Sequence, residues 1–173
     1  AVATEKYPEI QLTDEVVREI SASFIDFLCE KKNKNPEDLL VSVGHDSRIT
    51  ADLISTNVVD VLSKMGVSVL DCGLSSTPAM FMTTLKADAN GSVQITASHH
   101  PADRNGLKFF TKDGGLDSPD ITEIIKIANK ITLDCDKQGR VTKINFMTDY
   151  AKILRDIICN ELGKTEEDLP LRD

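Results

Sequence analysis

A chain of 173 residues, 40% hydrophobic and 28% charged, is long enough to enclose one sizeable core and has the balance of an ordinary globular domain. Its net charge of −8 and pI near 4.9 exclude a general affinity for nucleic acid or an anionic membrane, both of which need a broad basic face. An anionic ligand would therefore need a local basic pocket, and no apolar run approaches the ~20 residues of a membrane span.

Nothing at the start reads as a signal peptide. Cys29, Cys72, Cys135 and Cys159 are widely spread, without a C-x-x-C pair or histidines at zinc-ligand spacing. They read as structural thiols of a reducing compartment, the cytoplasm or an organelle such as a plastid, and not of a secreted protein.

Ala1 to Leu12 reads as irregular, with Pro8 in its middle. From Thr13 the pattern becomes helical: Thr13 can cap, Asp14 and Glu15 suit a positive helix N-terminus, and Val16, Val17, Ile20, Phe24, Phe27 and Leu28 recur at helical spacing as far as about Lys34. Asn35 to Asp38 is a turn, and Leu39 to Val43 is a short strand of the buried kind. It delivers Gly44-His45-Asp46-Ser47-Arg48. Thr50 to Met65 is then a helix capped by Thr50, with Leu53, Ile54, Val58, Val61 and Leu62 as its buried stripe and Gly66 as its stop.

Val67 to Asp71 is the next strand, and Thr77 as cap with Pro78 at the first helical position starts a further helix. Asn90-Gly91 turns the chain into the strand Val93 to Thr96, and Leu107 to Thr111 is another. About ten residues separate Ile95 from Leu107, too few for a helical crossover, so this last strand is expected to run antiparallel to its predecessor. Lys112 to Gly115 is a turn. Ser118-Pro119-Asp120 opens a helix with Ile121, Ile124, Ile125 and Ile127, Thr132 to Asn145 is irregular or short strand around Gly139, and Asp149 to Leu162 is a final helix stopped by Gly163. Its apolar face has little chain left to pack on.

Alternating strands and helices predict a three-layer α/β/α domain with a mixed, mainly parallel sheet. In such sheets ligands gather at the carboxyl ends of the parallel strands. Gly44 to Arg48, Gly73 to Pro78 and Ala97 to Pro101 all fall there.

The third of these segments is the richest in chemistry. Thr96-Ala97-Ser98-His99-His100-Pro101 runs into Ala102-Asp103-Arg104-Asn105-Gly106-Leu107-Lys108, which places a hydroxyl, two imidazoles, a guanidinium and an ammonium within eleven residues. Ser98 has neither a G-x-S-x-G elbow nor a recognisable acid partner, which argues against a hydrolase triad. Adjacent histidines on one loop are poor chelators, so His99, His100 and Asp103 make a weak metal site. A phosphoserine fits better, since its charge near −2 would be stabilised by loop N–H groups and by His99, Arg104 or Lys108.

T-A-S-H-H-P followed by N-G-L-K-F-F resembles the active-serine loop of the α-D-phosphohexomutases, the family of phosphoglucomutase, phosphomannomutase and phosphoglucosamine mutase. The family motif reads T-A-S-H-N-P, with a lysine ten residues after the serine, as Lys108 follows Ser98. G-H-D-S-R at Gly44 to Arg48 resembles the family's G-R-D-x-R, with His45 for an arginine, and His100 stands where the family has asparagine. The resemblance covers residues 10–160 and implies the first of four domains, 1–147, with 148–173 as a linker helix and the start of a second domain.

It further implies interconversion of hexose 1-phosphate and 6-phosphate through a phosphoserine and a hexose 1,6-bisphosphate, which also serves as activator. Ser98 would carry the phosphoryl group and, through its phosphate, hold Mg²⁺ with aspartates outside this chain. His99 and Lys108 would act as acid/base and electrostatic groups, while Asp46, Arg48, His100 and Arg104 bind phosphate or brace the loops. The partners implied are the hexose phosphate and the remaining domains of the same protein, without which the chain would be inactive. The alternative is a non-catalytic mutase-like domain that binds a sugar phosphate or a partner protein.

Overall fold

In a computed structural model, residues 11–133 and 136–170 are described; the irregular reading of the first ten residues and that of Cys135 lie outside them. The first helix, α1 (Asp14–Lys32), starts where Thr13 Oγ1 accepts from the amide of Val16 at 3.3 Å, and its first turn carries Asp14 and Glu15. A 3-10 turn at Pro36–Asp38 leads to β1 (Leu40–His45). After α2 (Ala51–Lys64), β2 (Ser68–Leu74), α3 (Thr77–Lys86) and β3 (Gly91–Ile95), the chain folds back as β4 (Leu107–Thr111) and β5 (Gly114–Gly115). Then come α4 (Ser118–Ala128), β6 (Val141–Lys143) and α5 (Phe146–Leu162).

The six strands form one sheet in the order β5-β4-β3-β1-β2-β6. β1 pairs in parallel with β2 and β3, and β2 with β6, whereas β3–β4 and β4–β5 are antiparallel. The fold is thus a three-layer α/β/α domain on a mixed, mainly parallel sheet. Helices α1, α2 and α4 pack together on one face, and α3 with α5 on the other.

Alternation along β1 and β3 separates two unlike faces. Val41, Val43, Val93 and Ile95 are fully buried on the α1 side, where Phe109 of β4 stacks on Phe24 of α1 with ring centroids 4.5 Å apart. Ser42, Gly44, Ser92 and Gln94 line the α3 side, also without exposure beyond a trace. There Ser42 Oγ and Thr83 Oγ1 share a hydrogen bond of 2.5 Å. Gly44 is required by packing, since a Cβ would lie 2.6 Å from Met80 Sδ and 3.1 Å from Ser75 Cβ.

Several local readings are corrected. Leu53 is 56% exposed; the buried stripe of α2 is Ala51, Ile54, Ser55, Val58, Val61 and Leu62. Thr50 precedes that helix but makes no side-chain cap, its hydroxyl being turned to Asn105 instead. Ser76, not Thr77, caps α3, with its Oγ accepting from Ala79 N at 3.3 Å and Pro78 at the second position. Asp117 caps α4, where Ile125 is 48% exposed. Gly114–Gly115 pair with β4 as a short strand rather than ending as turn.

The final helix begins earlier than its spacing indicated, and its first half does have a partner. Phe146 is buried against Cys72, Ala79 and Met80, with Met147, Tyr150 and Ile153 packed around them. The second half exposes Leu154, Ile157 and Leu162.

Cys29, Cys72 and Cys159 are free thiols. Burial, aided by Asp71, pushes the Cys72 thiol up to about 12, and burial with Asp26 pushes Cys29 to about 11, so both stay protonated and inert. Among the described residues no helix is long and apolar enough to cross a membrane.

Two measurements test this packing. Phe24→Ala empties a fully buried site and should cost about 3–5 kcal/mol in denaturant unfolding. Arg18 Nη1 of α1 binds Asp60 Oδ2 of α2 at 2.6 Å; burial raises the Asp60 pKa, but hydrogen bonds from Lys64 and Arg18 outweigh it and hold the carboxyl below its usual 3.8. A depressed folded pKa contributes stability above pH 3.8 that is lost as pH falls through the folded value. Asp60→Asn should therefore lose up to about 1 kcal/mol near neutrality, as befits a solvent-screened pair, and the loss should vanish in melts recorded below that window.

Candidate functional site

β1, β2 and β3 end side by side at His45, Leu74 and Ile95, so the segments that follow them meet at one rim of the sheet. Backbone bonds fix their starts. Asp46 N donates to Ile95 O at 3.0 Å, Ser75 N to His45 O at 2.8 Å, and Thr96 N to Gly106 O at 2.9 Å. The Gln94 amide, fully buried on β3, donates from Nε2 to Ser75 O at 3.0 Å and ties the β2–α3 segment to the same frame.

The loop between β3 and β4 is organised by one side chain. Arg48 Nη2 donates to Ser98 O at 2.6 Å, and its Nη1 is shared among the carbonyls of His100 at 2.8 Å, Pro101 at 2.5 Å and Arg104 at 3.1 Å. Asp46 holds the guanidinium from the other side, Nε to Oδ2 at 2.9 Å, and its Oδ1 accepts from the Arg48 amide at 3.1 Å. The Arg48 side chain is only 10% exposed. A charged donor fork of this kind converges on several acceptors that would otherwise repel one another.

Within the loop, His100 N donates to Ala97 O and Arg104 N to Pro101 O, each at 3.0 Å. Asn105 Nδ2 reaches Thr50 Oγ1 at 3.3 Å, while its Oδ1 accepts from Gly106 N. Gly106 sits where a Cβ would press on Thr96 O at 3.0 Å.

Ser98 lies at the exposed end of this arrangement with φ +55, a left-handed conformation that costs a non-glycine residue about 1–2 kcal/mol. Its amide donates to Thr96 Oγ1 at 3.1 Å and its carbonyl accepts from Arg48, so the conformation is held from both sides. The hydroxyl stands 3.2 Å from His99 Nδ1. When that nitrogen is unprotonated, the hydroxyl donates to it.

His99 and His100 are exposed, and His100 contributes its carbonyl rather than its ring to the loop. Arg104, half-buried, likewise gives a carbonyl to Arg48. Lys108 is exposed on β4, opposite Gln94, with no contact to Ser98. His45 donates from Nδ1 to Asp46 O at 2.8 Å and sets Nε2 3.2 Å from Asp52 Oδ1, a bridge between β1 and α2 behind the loop.

Sequence reasoning read Thr50 only as a helix cap and gave Thr96, Asn105 and Gln94 no role of their own at the site. The i to i+2 bond from Ser98 N to Thr96 Oγ1 is the one with a local signal, because a hydroxyl two residues before a turn offers itself to the amide. Among the described residues no group of three or more His, Cys, Asp or Glu could hold a metal ion, so the Mg²⁺ implied by resemblance finds no complete ligand set here.

Replacing Arg48 tests the clamp. Arg48→Lys keeps the charge but loses the fork, and should lower the protection of the His100 and Arg104 amides by about 1.5–3 kcal/mol, read by native-state hydrogen exchange, with strand amides of β1 unchanged.

Comparison with known proteins places this architecture. Residues 4–134 match the family described as phosphoglucomutase/phosphomannomutase, alpha/beta/alpha domain I. The chain is 29% identical over 143 residues to a phosphomannomutase of Vibrio cholerae, covering 81% of this chain and 30% of that protein. It is 33% identical over 128 residues to a phosphoglucosamine mutase of Pediococcus pentosaceus, covering 72% and 27%. A crystal structure of a phosphoglucomutase/phosphomannomutase family protein from Burkholderia thailandensis has the same fold, with a TM-score of 0.68 at 21% identity over 86% of this chain and 32% of that one. The chain spans about a third of the length of these relatives. A match over three quarters of its residues, on the strands and loops just described, makes this chain a member of the phosphoglucomutase/phosphomannomutase family through its domain I.

Proposed function

We propose that this chain is the N-terminal part of a phosphohexomutase and that Ser98 carries the phosphoryl group between the 1- and 6-oxygens of a hexose phosphate. The observation that carries this reading is the presentation of Ser98. Its strained backbone is held at the carbonyl by an arginine that spends its donors on the loop backbone, and its exposed hydroxyl stands beside an imidazole at 3.2 Å. Strain kept in place by surrounding bonds is a mark of a working loop.

In the transfer, Ser98 Oγ forms a bond to phosphorus of a hexose 1,6-bisphosphate while the bond from that phosphorus to the sugar oxygen breaks. The hydroxyl proton leaves to a base, for which His99 Nδ1 is the adjacent group, and the departing sugar oxygen takes a proton from an acid, the role assigned to Lys108. The reverse step returns the phosphoryl group to the other sugar oxygen. Asp46, Arg48 and the carbonyls of His100 and Arg104 act before chemistry, by fixing where Oγ stands.

A phosphate on Ser98 would supply one ligand to Mg²⁺, and the rest would come from outside the described residues. The domains that complete the relatives would also choose the sugar, be it a glucose, mannose or glucosamine phosphate. Free cysteines among the described residues fit a reducing compartment.

Intact mass and phosphopeptide mapping of the whole natural protein with glucose 1,6-bisphosphate test the reading. An adduct of ~80 Da on Ser98, absent in Ser98→Ala, is the expected result. An unmodified Ser98 in the whole natural protein under the same conditions overturns it in favour of a non-catalytic, ligand-binding relative.

A further inference from the structure

The α3 side of the sheet holds one unsatisfied acceptor whose surroundings name its partner. Gln94 is fully buried, and its amide is oriented by the Nε2 bond to Ser75 O. That bond leaves Oε1 as the free end, buried and without a donor. A buried amide oxygen in this state costs about 1–3 kcal/mol, so a reachable donor should close on it.

Of the hydroxyls nearby, Ser92 Oγ, two residues back along β3, is buried and makes no bond to it, and three others are committed. Thr83 Oγ1 donates to Met80 O, Thr84 Oγ1 to Phe81 O, and Ser75 Oγ to Cys72 O. Across the ladder, Gln94 is paired directly with Lys108. Paired residues of antiparallel strands project to the same face with Cβ atoms about 5 Å apart, and a lysine stem easily spans the remainder. The Lys108 ammonium makes no hydrogen bond or ion pair among the described residues.

We propose that Gln94 is the positioning residue for Lys108: the Lys108 ammonium folds along the α3 side of β4 and donates to Gln94 Oε1. Two residues further along, past the Ile95–Leu107 pair, Thr96 N donates to Gly106 O and opens the Ser98 loop. The pairing therefore holds the ammonium at the base of that loop, instead of leaving it free in solvent on a flexible stem. Its catalytic meaning rests on the reading of Ser98 and Lys108 given above, but the contact itself does not.

Two measurements keep the contact and the reading apart. In ¹⁵N,¹³C-labelled chain, a scalar coupling across the hydrogen bond from Lys108 Nζ to Gln94 Cδ is expected, together with ammonium protons that exchange about tenfold more slowly than those of other surface lysines. Gln94→Met should abolish the slow exchange, whereas Ser92→Ala, two residues away on the same face, should leave it unchanged. Absence of the coupling with fast exchange in the unmodified chain overturns the proposal even if Gln94→Met fails to fold, and so does slow exchange that survives in Gln94→Met.

In the whole natural protein, Gln94→Met should lower kcat about tenfold at unchanged KM, as expected when an acid/base group is loosened rather than removed. A coupling that is present while Ser98 takes up no phosphoryl group would uphold the contact and sink the catalytic reading alone.

Discussion

Everything at the rim depends on one guanidinium placed among four carbonyl oxygens. The oxygens of Ser98, His100, Pro101 and Arg104 converge on the same small volume, and without a cation between them they would repel one another. A lysine would supply the charge at one point only. The planar fork of Arg48 reaches acceptors on both of its terminal nitrogens, while Asp46 takes up Nε and balances the charge. Loop shape thus comes from a side chain three residues beyond the end of the neighbouring strand, and a change at that strand's end is a change in the loop.

This arrangement needs the parallel core of the sheet. Because β1 lies between β2 and β3, the segments leaving the three strands can bond to each other across single residues, as Asp46 with Ile95 and Ser75 with His45 do. Close approach of α3 has the same origin. Ser42, Gly44 and Ser92 are small, so the helix lies near the strands, and polar groups are brought inside, of which Ser42 pairs with Thr83 and the Gln94 Nε2 with Ser75 O. The opposite face is filled with Phe24, Phe109 and branched aliphatic side chains and supplies the hydrophobic stability. One sheet therefore carries an apolar side that makes it stable and a polar side that leads to the rim.

Most of this architecture was legible in the residues. Periodicity located the helices and the antiparallel return of β4, because a gap of about ten residues leaves no room for a crossover. What failed did so for definite reasons. Leu53 was read into the buried stripe of α2 by its hydrophobicity, yet the stripe is kept by Ala51 and Ser55, whose small side chains let the helix sit close to β1 and β2. Thr50 was misjudged as a cap because a hydroxyl's choice between the helix and a distant Asn105 is tertiary, and the cap of α3 was placed on Thr77, one residue after the Ser76 that provides it. The start of α5 was missed because Phe146 and Met147 continue the helix on the strength of contacts with α3. At the rim, the candidate site residues were visible as a cluster in sequence. The carbonyls that bind Arg48 were not, since every residue has one and only the fold selects among them.

The two groups proposed to react are mounted in opposite ways. Lys108 sits on a strand, where its Cα is fixed by ladder bonds to β3 and only its side chain can stray. Ser98 sits on a loop, where a short side chain leaves little freedom and the backbone is what can stray. Each mounting demands a different restraint. For the serine it must act on main-chain atoms, which is what Arg48 and Thr96 bind. For the lysine it must act on the ammonium, far from the backbone and on the sheet face shared with its cross-strand neighbour. The restraint on Ser98 and the one proposed for Lys108 both trace back to β3 and the residue after it, where Gln94 and Thr96 lie two residues apart. A shift of that strand by a single residue would turn both side chains to the apolar face, so the register of β3 fixes the loop and the lysine together.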